Sequence, residues 1–335
     1  MEEIINGFEL IDPLQNRDAG FSRWTFARRN GRVFFLKEFL DPVYPVNREI
    51  GERQMQARIL ACRDFEKKSG ACYRAINEAS DGNAVRIEAF FRWESHYYVA
   101  MERVRSAGLK IRDIAALPLE QRIGLCRNVA HSISGLHERG VVHADLKDKN
   151  VLIKRTKKNT LTAKIIDFDC SFLENYPPDS EDEFSGDQVY LAPEACLFLC
   201  GERDVPLTSK LDVFSLGILF HQYLTGAFPG YDQSEYSYLH EAVLDGHPAE
   251  ISDEIEDPAL RDMLENMLEA DPGDRCSMRE VLQVLMAPAV REYLAEQNMQ
   301  GEGNPKEFAW FNVAGDLSGQ ETEPGERKKK KKKET

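Results

Sequence analysis

The sequence lacks the features that define several large classes of protein. Its longest apolar run, residues 213–220, is interrupted by Ser215 and Gly217 and is far shorter than the roughly 20 residues that cross a membrane. Residues 1–4 do not have the basic and then apolar order of a secretion signal. The 22 glycines follow no period of three, so the chain is not collagen-like. We expect neither a membrane-spanning nor a fibrous protein.

Cysteine is scarce and unpatterned. The seven cysteines are an odd number and contain no C-x-x-C pair, which favours reduced thiols in a cytoplasm over a disulfide framework. Cys196 and Cys200 are four residues apart and would share a helix face. Because no His or Cys partners follow at zinc spacing, small buried apolar side chains are a simpler interpretation than a metal site. We therefore expect a cytoplasmic location.

Positive charge is scarce outside one short segment. The chain has 43 basic and 57 acidic side chains and a formal net charge of −14, but residues 327–333 alone hold seven cations. Without residues 327–335, 36 basic and 56 acidic side chains remain, a net charge of −20. Such a body has no general attraction for nucleic acid. From about residue 297 the composition is too polar to order itself, so residues 297–335 are expected to be a disordered tail ending in a polybasic run.

The rest of the chain divides into a strand-rich and a helix-rich segment. Bulky runs bounded by turns at residues 30–31 and 81–83 predict strands within residues 8–40 and 84–101. From Leu119 the apolar residues take helical spacing, with short strands near 151–153 and 163–166. This order predicts an α+β protein.

The stretch between the first strands and the turn at 81–83 is helix-like. Residues 46–78 carry apolar side chains in rough helical spacing. A single helix there would be about 50 Å long. We expect it to break, with Gly51 and Gly70 as the candidate positions.

One segment, residues 143–153, carries the clearest chemistry. Its carboxylate, Asp145, is followed by Lys147 two residues later and by Asn150 five residues later. Asp167 ends a short strand about 15 residues after Asn150. A carboxylate that orients a hydroxyl, an ammonium that holds a phosphoryl group and hard oxygen ligands for Mg²⁺ are what phosphoryl transfer needs.

Five motifs in this order resemble those of protein kinases. They are the catalytic loop His143–Asn150, which departs from H-R-D-L-x-x-x-N only at Ala144; Asp167-Phe168-Asp169 in the place of D-F-G; Ala192-Pro193-Glu194; the Asp212 helix; and Arg275, which would pair with Glu194. The resemblance covers residues 8–286. It implies a two-lobed kinase fold, with a small β-rich N-lobe over residues 1–104 and a larger helical C-lobe over residues 105–296. Lys147 and the loop form resemble Ser/Thr rather than Tyr kinases.

The resemblance also implies roles for individual residues. Asp145 would be the catalytic base, Lys147 the phosphate-stabilising cation, and Asn150 and Asp167 the Mg²⁺ ligands beside ATP. The nucleotide site would be formed by Lys37, Phe35, Gly20, Met101, Glu102, Val104, Leu152 and Glu66. Met101 would be the gatekeeper, and backbone groups of Glu102 and Val104 would meet adenine. Glu66 is preferred as the helix partner of Lys37, with Glu49 and Glu52 left open.

Several positions depart from the kinase pattern. The Gly-rich loop aligns with residues 17–22, where only Ala19 and Ser22 approximate its glycines. Phe35 replaces a small residue of the adenine roof and, by strand alternation, faces the same way as Lys37. We expect Phe35 to reshape nucleotide binding rather than abolish it.

Two further departures concern the segment after the catalytic loop. Asp169 in place of glycine predicts a restricted flip of the D-F-x motif. Ala144 replaces an Arg that receives a phosphate in many kinases, so activity is expected not to depend on phosphorylation of Ser180, Ser185 or Tyr190. The acidic residues of 170–191 are most simply a solvated loop, although Asp187 is placed to pair with Lys147.

Three functions remain open on these residues. The first is an ATP-dependent Ser/Thr protein kinase acting on a protein substrate, the second a pseudokinase scaffold, and the third a small-molecule phosphotransferase. The polybasic tail would contact an anionic membrane, nucleic acid, the acidic body itself or a substrate, or would simply be solvated. No specific nucleic-acid partner and no transmembrane segment are expected.

Overall fold

The computed structural model describes residues 3–17, 22–46 and 51–300. Gly20, Ala19, Glu49 and the polybasic run at 327–333 lie outside these residues. The chain divides into two units, residues 1–295 and 296–335, and all elements up to Ala295 belong to the first. No helix among the described residues is both long and apolar enough to cross a membrane.

The N-terminal part is a six-stranded antiparallel sheet with one long helix. The strands follow the order β1-β2-β3-β4-β6-β5 across the sheet. Their bounds are β1 Ile4–Ile5, β2 Phe8–Leu10, β3 Ser22–Arg29, β4 Arg32–Phe39, β5 Ile87–Trp93 and β6 His96–Glu102. Strands β2 to β6 agree with the predicted strand regions, whereas β1 lies before them and was not predicted.

Alternation along β4 divides the sheet into two apolar faces. Phe34 and Leu36 pack into a small outer cluster with Phe8 and Tyr98, whereas Phe35 packs against the main core. The predicted alternation is therefore confirmed: Phe35 and Lys37 share the face that looks towards the rest of the molecule.

The long helix α1 runs over Glu52–Ala79 without a break. It begins directly after Gly51, as one of the two candidate breaks predicts, but the expected break at Gly70 is wrong. A glycine inside a helix costs only about 1 kcal/mol, and α1 buries Cys62, Tyr73 and Ile76 along one side. That burial holds the helix together through Gly70.

The C-terminal part is mainly helical. Its helices are α2 Ile111–Ala115, α3 Leu119–His137, α4 Pro193–Leu199, α5 Lys210–Thr225, α6 Leu239–Leu244, α7 Pro258–Met267, α8 Met278–Met286 and α9 Pro288–Gln300. Four short strands lie between α3 and α4: β7 Val141–Val142, β8 Val151–Arg155, β9 Leu161–Ile165 and β10 Phe172–Leu173. They form two small antiparallel pairs, β8 with β9 and β10 with β7.

Helix α5 forms the centre of this part. Fourteen of its residues, from Leu211 to Leu224, are buried, as expected for a helix that is packed on every side. Gly217 is required there, because a Cβ would lie 2.9 Å from a side-chain carbon of Leu268. The architecture is the predicted α+β, two-lobed arrangement of strands followed by helices.

Candidate active site

The loop between β7 and β8 is fixed by a single carboxylate. Asp212 on α5 accepts hydrogen bonds at 2.8 Å from the backbone N–H groups of His143 and Ala144, and its Oδ2 lies 2.9 Å from His137 Nε2. Ala144 has a φ of 65°, a conformation that costs a non-glycine residue about 1–2 kcal/mol. Asp212 therefore holds this loop through two of its backbone N–H groups.

Asp145 is the centre of the resulting polar cluster. Its two oxygens lie 2.9 and 2.8 Å from Lys147 Nζ, and Oδ2 also accepts a hydrogen bond of 2.9 Å from the Asn150 amide. Burial would lower the pKa of Lys147, but the hydrogen bond and charge of Asp145 outweigh it and raise that pKa. Lys147 therefore stays a cation beside an oriented carboxylate.

Pairing of β8 with β9 brings the second carboxylate to this cluster. Val151 lies opposite Ile165, and the Ile166 N–H donates to the Asn150 carbonyl at 2.9 Å. Asp167 is the next residue, with a φ of 64° that turns the chain away from the strand. Asn150 thus lies directly before β8 and Asp167 shortly after β9, at the same end of the strand pair.

These two residues fit a hard cation that is mostly ligated by other groups. A carboxylate and an amide oxygen are suitable Mg²⁺ ligands, and Mg²⁺ usually completes its shell with water and phosphate oxygens. Within residues 3–17, 22–46 and 51–300 no cluster of three or more His, Cys, Asp or Glu side chains is arranged to hold a metal alone. The donor set therefore suits a metal that arrives with a phosphate ligand.

Lys37 reaches the cluster from the sheet. Its side chain is 6% exposed, and Nζ lies 2.8 Å from Asp167 Oδ1 and 2.6 Å from Asp169 Oδ2. Burial would lower the pKa of Lys37, but the charges of Asp169 and Asp167 outweigh it and raise that pKa. The pKa of Asp167 changes in the opposite direction. Burial would raise it, but the charge and hydrogen bond of Lys37 outweigh burial and lower it.

The expected pairing of Lys37 with Glu66 is not formed in this structure. Glu66 Oε1 instead accepts a hydrogen bond of 2.8 Å from the Tyr97 hydroxyl and lies 4.0 Å from Arg92 Nε. The rings of Phe65 and Tyr97 are 5.1 Å apart, and this packing orients the adjacent Glu66 towards the Tyr97 hydroxyl. Glu52, another candidate, lies exposed in the first turn of α1.

The residues expected to form the hinge lie at the end of strand β6. Met101 is 5% exposed and pairs with Phe35 across the sheet. Glu102 is the last residue of β6, Val104 follows it, and Leu152 lies on β8. The Glu102 carboxylate pairs with Lys164 Nζ at 2.6 Å and accepts the Arg86 N–H at 2.9 Å. Its side chain therefore anchors the end of β6, where the hinge is expected.

Phe35 belongs to an aromatic group on the cleft-facing side of the sheet. Its ring is stacked 5.2 Å from Trp24 and lies edge-on 5.9 Å from Phe26. Trp24 lies opposite Lys37 in the β3–β4 register, and its indole N–H donates to the Arg17 carbonyl at 2.8 Å. Three aromatic rings therefore pack together at the position expected for the adenine roof.

A small, partly open pocket lies next to Asp145. Its walls come from the catalytic loop, the segment before α4, and α5; they include Ala144, Asp145, Phe184, Asp187, Tyr190 and Ser215. Asp187 Oδ2 lies 3.6 Å from Lys147 Nζ, as predicted. A hydroxyl-bearing segment placed in this pocket would lie beside the polar cluster.

The segment carrying this pocket is anchored below by a buried ion pair. Arg275 donates two hydrogen bonds of 2.7 Å to the Glu194 carboxylate, and the two side chains are 0% and 2% exposed. The predicted Glu194–Arg275 pair is confirmed.

Sequence reasoning missed two residues that contribute to this site. Lys164, which holds the hinge carboxylate and also donates to the Gly82 carbonyl at 2.6 Å, looks like an ordinary strand lysine. Trp24 was detectable, because Trp24 and Phe26 alternate on β3 in the way that Phe35 and Lys37 alternate on β4.

Comparison with known proteins agrees with this geometry. The family model described as the protein kinase domain matches residues 64–285. The chain is 26% identical over 291 residues to serine/threonine-protein kinase Pkn1 of Myxococcus xanthus, covering 84% of this chain and 41% of that protein.

Two further relatives have similar levels of identity. Calcium-dependent protein kinase 4 of Plasmodium berghei is 28% identical over 206 residues, which cover 60% of this chain and 37% of that protein. Calcium/calmodulin-dependent protein kinase type II of Caenorhabditis briggsae is 27% identical over 244 residues, which cover 70% of this chain and 43% of that protein. The matched regions span less than half the length of these relatives.

Proposed function

Because this chain belongs to the protein kinase domain family, we propose that it is an ATP-dependent Ser/Thr protein kinase that transfers the γ-phosphoryl group to a protein hydroxyl. The observation that carries the proposal is the cluster in which Asp145 is bonded to both Lys147 and Asn150. A scaffold without turnover would not require these three polar groups to converge. The relatives' names describe serine/threonine and calcium-dependent kinases, which supports the substrate class.

In this proposal each polar group of the cluster has one task. Asp145 orients the substrate hydroxyl and accepts its proton, and Lys147 neutralises charge on the phosphoryl group as it is transferred. Lys37 holds the phosphates that remain with the nucleotide. Asn150 and Asp167 would hold a divalent metal, Mg²⁺, which would supply further charge neutralisation when bound.

The nucleotide base would lie between the aromatic roof and the hinge. Phe35, Met101, Glu102, Val104 and Leu152 are proposed to form this part of the site, and Gly20 is proposed as a further nucleotide-binding residue. The proposed N-lobe is residues 1–104 and the proposed C-lobe residues 105–296, with a tail over residues 297–335. Helix α9, which reaches Gln300, extends across the second of these boundaries.

The setting of the protein is also part of the proposal. All seven cysteines are free thiols, which supports a cytoplasmic location. The net charge of −20 outside residues 327–335 argues against nucleic acid as a general partner of the body, and the seven cations of the tail are proposed to contact an anionic partner.

The test is transfer of label from radiolabelled ATP with Mg²⁺ to the chain itself, to a generic protein and to small-molecule acceptors. Wild type is expected to label serine or threonine in protein. Asp145→Ala should lower kcat by about 10²–10⁴-fold, the usual contribution of a positioned acid–base group. The control is Asp148→Ala, an exposed carboxylate of the same loop, which should retain activity.

Each alternative outcome of this assay would indicate a different function for the chain. Label on a small molecule but not on protein would identify a small-molecule phosphotransferase. Nucleotide binding without transfer in wild type, or no binding at all, would identify a pseudokinase. Label on tyrosine would contradict the proposed substrate class.

A further inference from the structure

Lys37 has an unusual set of counter-ions for a lysine on this strand. Its ammonium is 6% exposed and lies between Asp167 and Asp169, at 2.8 and 2.6 Å. A buried ammonium requires paired charges of this kind. The shorter of the two contacts is made by Asp169, the residue that stands where the D-F-G pattern has glycine.

Helix α1 does not supply a carboxylate to Lys37 in the described structure. Glu66 is committed to the Tyr97 hydroxyl at 2.8 Å and its side chain is 45% exposed. The side of α1 near Asp169 presents Tyr73 instead, which is 6% exposed and whose pKa is raised by burial and, next, by the charge of Asp169. A neutral phenol on the helix cannot replace the missing carboxylate.

The side chains of two nearby residues fix the position of Asp169. The preceding residue, Phe168, is 2% exposed and packs 4.8 Å from the His143 ring, so the D-F-D turn is anchored in the core. Ser171 then donates to the His143 carbonyl at 3.0 Å. Asp169 lies between these two anchors. Its side chain is 23% exposed to solvent, and its carboxylate contacts Lys37.

We propose that Asp169 is the positioning residue for Lys37, holding its ammonium at the nucleotide phosphates in the role for which Glu66 was expected. This inference rests on the proposed kinase function. A lysine has a flexible four-carbon stem, so it needs a fixed partner to hold one geometry. Asp167 would share its oxygens with the metal, which leaves Asp169 as the carboxylate committed to Lys37 throughout.

The test is the dissociation constant of ATP with Mg²⁺, measured without turnover by calorimetry on the full-length chain. Asp169→Asn keeps the shape of the side chain and removes its charge, and should weaken binding by about tenfold, as expected for one charge-assisted hydrogen bond. Glu66→Gln should change the affinity by less than about twofold, the value for an exposed pair. The control is Glu78→Gln, an exposed carboxylate of α1 that pairs with Arg139 at 3.1 Å.

A double mutant separates positioning from a local structural effect. If Asp169 acts through Lys37, Lys37→Met with Asp169→Asn should bind ATP no more weakly than Lys37→Met alone, because the two effects are coupled. An additive loss would overturn the proposal, as would an unchanged affinity of Asp169→Asn or a Glu66→Gln loss that equals or exceeds it.

A second variant of Asp169, together with the activity of the wild type, separates failure of the proposed Asp169 role from failure of the proposed kinase function. If Asp169→Asn does not fold, Asp169→Gly, which restores the family residue, is measured in its place with the same expectation. Failure of wild type to transfer phosphate while Asp169→Asn weakens binding would defeat the proposed kinase activity alone. An active wild type with unchanged affinity in the variant would defeat only the role of Asp169.

Discussion

At the scale of single residues, strand alternation accounts for the roof of the cleft. Phe35 faces the same side of β4 as Lys37, and it is stacked on Trp24 at 5.2 Å rather than standing alone. A base that enters beneath this roof would meet a packed aromatic surface where kinases of the usual pattern have a small residue. The ring of Phe35 is therefore held in place by its aromatic neighbours, which favours a reshaped nucleotide site over a blocked one.

Replacing Phe35 tests this interpretation. Phe35→Ala should weaken ATP binding by about three- to tenfold, the equivalent of one lost aromatic contact of about 0.5–1.5 kcal/mol. Phe35→Leu is the matched variant, because it retains apolar volume without a ring. Titration with ATP and GTP gives the readout; tighter binding by Phe35→Ala would mean that the ring fills the base site, and unchanged affinity and preference would contradict any role.

A buried histidine provides a residue-scale prediction on pH. His221 Nε2 accepts the Ser252 N–H at 3.1 Å, and Nδ1 lies 2.9 Å from the Ala227 carbonyl, so the neutral ring satisfies both contacts. Burial lowers the pKa of His221 in the folded state. The unfolded state then binds more protons in acid, so the stability that the neutral ring provides is present above about pH 6.5 and is lost as pH falls below it.

The measurement is the free energy of unfolding of wild type and His221→Ala in denaturant at pH 8 and pH 5. The destabilisation caused by the substitution should be larger at pH 8 than at pH 5. A larger effect at pH 5 would show that the folded protein prefers the protonated ring, and an equal effect would show no preference; either result would contradict the prediction.

At the scale of elements, several of the exposed acidic residues before α4 also contact groups of other elements. Lys68 on α1 lies 2.9 Å from Asp179 Oδ2 and 3.4 Å from Glu183 Oε2. Glu174 accepts the Ser209 N–H at 2.8 Å. Asp179 and Glu183 are 79% and 47% exposed, as a solvated loop predicts, and they additionally contact a cation of α1.

Apolar packing holds the same segment near the catalytic loop. Phe184 is 5% exposed and lines the pocket shared with Ala144. Tyr190 is buried, and its hydroxyl donates to Gln222 at 2.7 Å. The segment therefore has internal anchors in the region where an added phosphate would meet alanine instead of arginine.

We predict that phosphorylation is not needed to order this segment. Phosphatase treatment should leave the rate of phosphoryl transfer within about twofold, because the carboxylates already supply the negative charge that phosphorylation adds elsewhere. Phosphorylation of Ser180 and Ser185 is monitored by mass spectrometry. A large loss of activity on treatment would contradict the prediction.

Removing Lys68 should loosen the segment. Lys68→Ala is expected to speed hydrogen exchange of amides in residues 176–187, because single exposed ion pairs are weak but a shared cation joins two of them. Arg63→Ala, at an exposed position of the same helix, is the control. Equal exchange in the two variants would show that the apolar anchors suffice.

At the scale of the whole molecule, the Glu194–Arg275 pair joins distant parts of the C-terminal region. Arg275 also donates to the carbonyls of Lys210, Glu269 and Ala270 at 3.0, 2.7 and 2.9 Å. Arg275→Met should lower the free energy of unfolding by about 3–5 kcal/mol, since it leaves a buried carboxylate unpaired. Arg139→Met, which breaks an exposed pair, should cost less than about 1 kcal/mol; similar values for both would contradict the argument.

Motif spacing predicted which polar groups converge at the site. The contacts that depend on packing between elements could not be predicted from spacing. Asp145, Lys147 and Asn150 are close in sequence, so their contacts follow from one loop. The partner of Lys37 was open because it depends on how α1 lies against the sheet, and the ring of Tyr97 diverts Glu66. Gly70 was misread for a related reason: local propensity favours a break, and burial along α1 overrides it.

The position of Lys37 also has a consequence for kinetics. Lys37 belongs to the sheet, whereas Asp167 and Asp169 follow β9 in the helical part of the molecule. Any opening that separates these parts would strip a buried ammonium of both counter-ions, which is costly. Nucleotide binding should therefore replace one ion pair of Lys37 by another, with an incoming phosphate pairing with the ammonium as one of the two carboxylates dissociates from it.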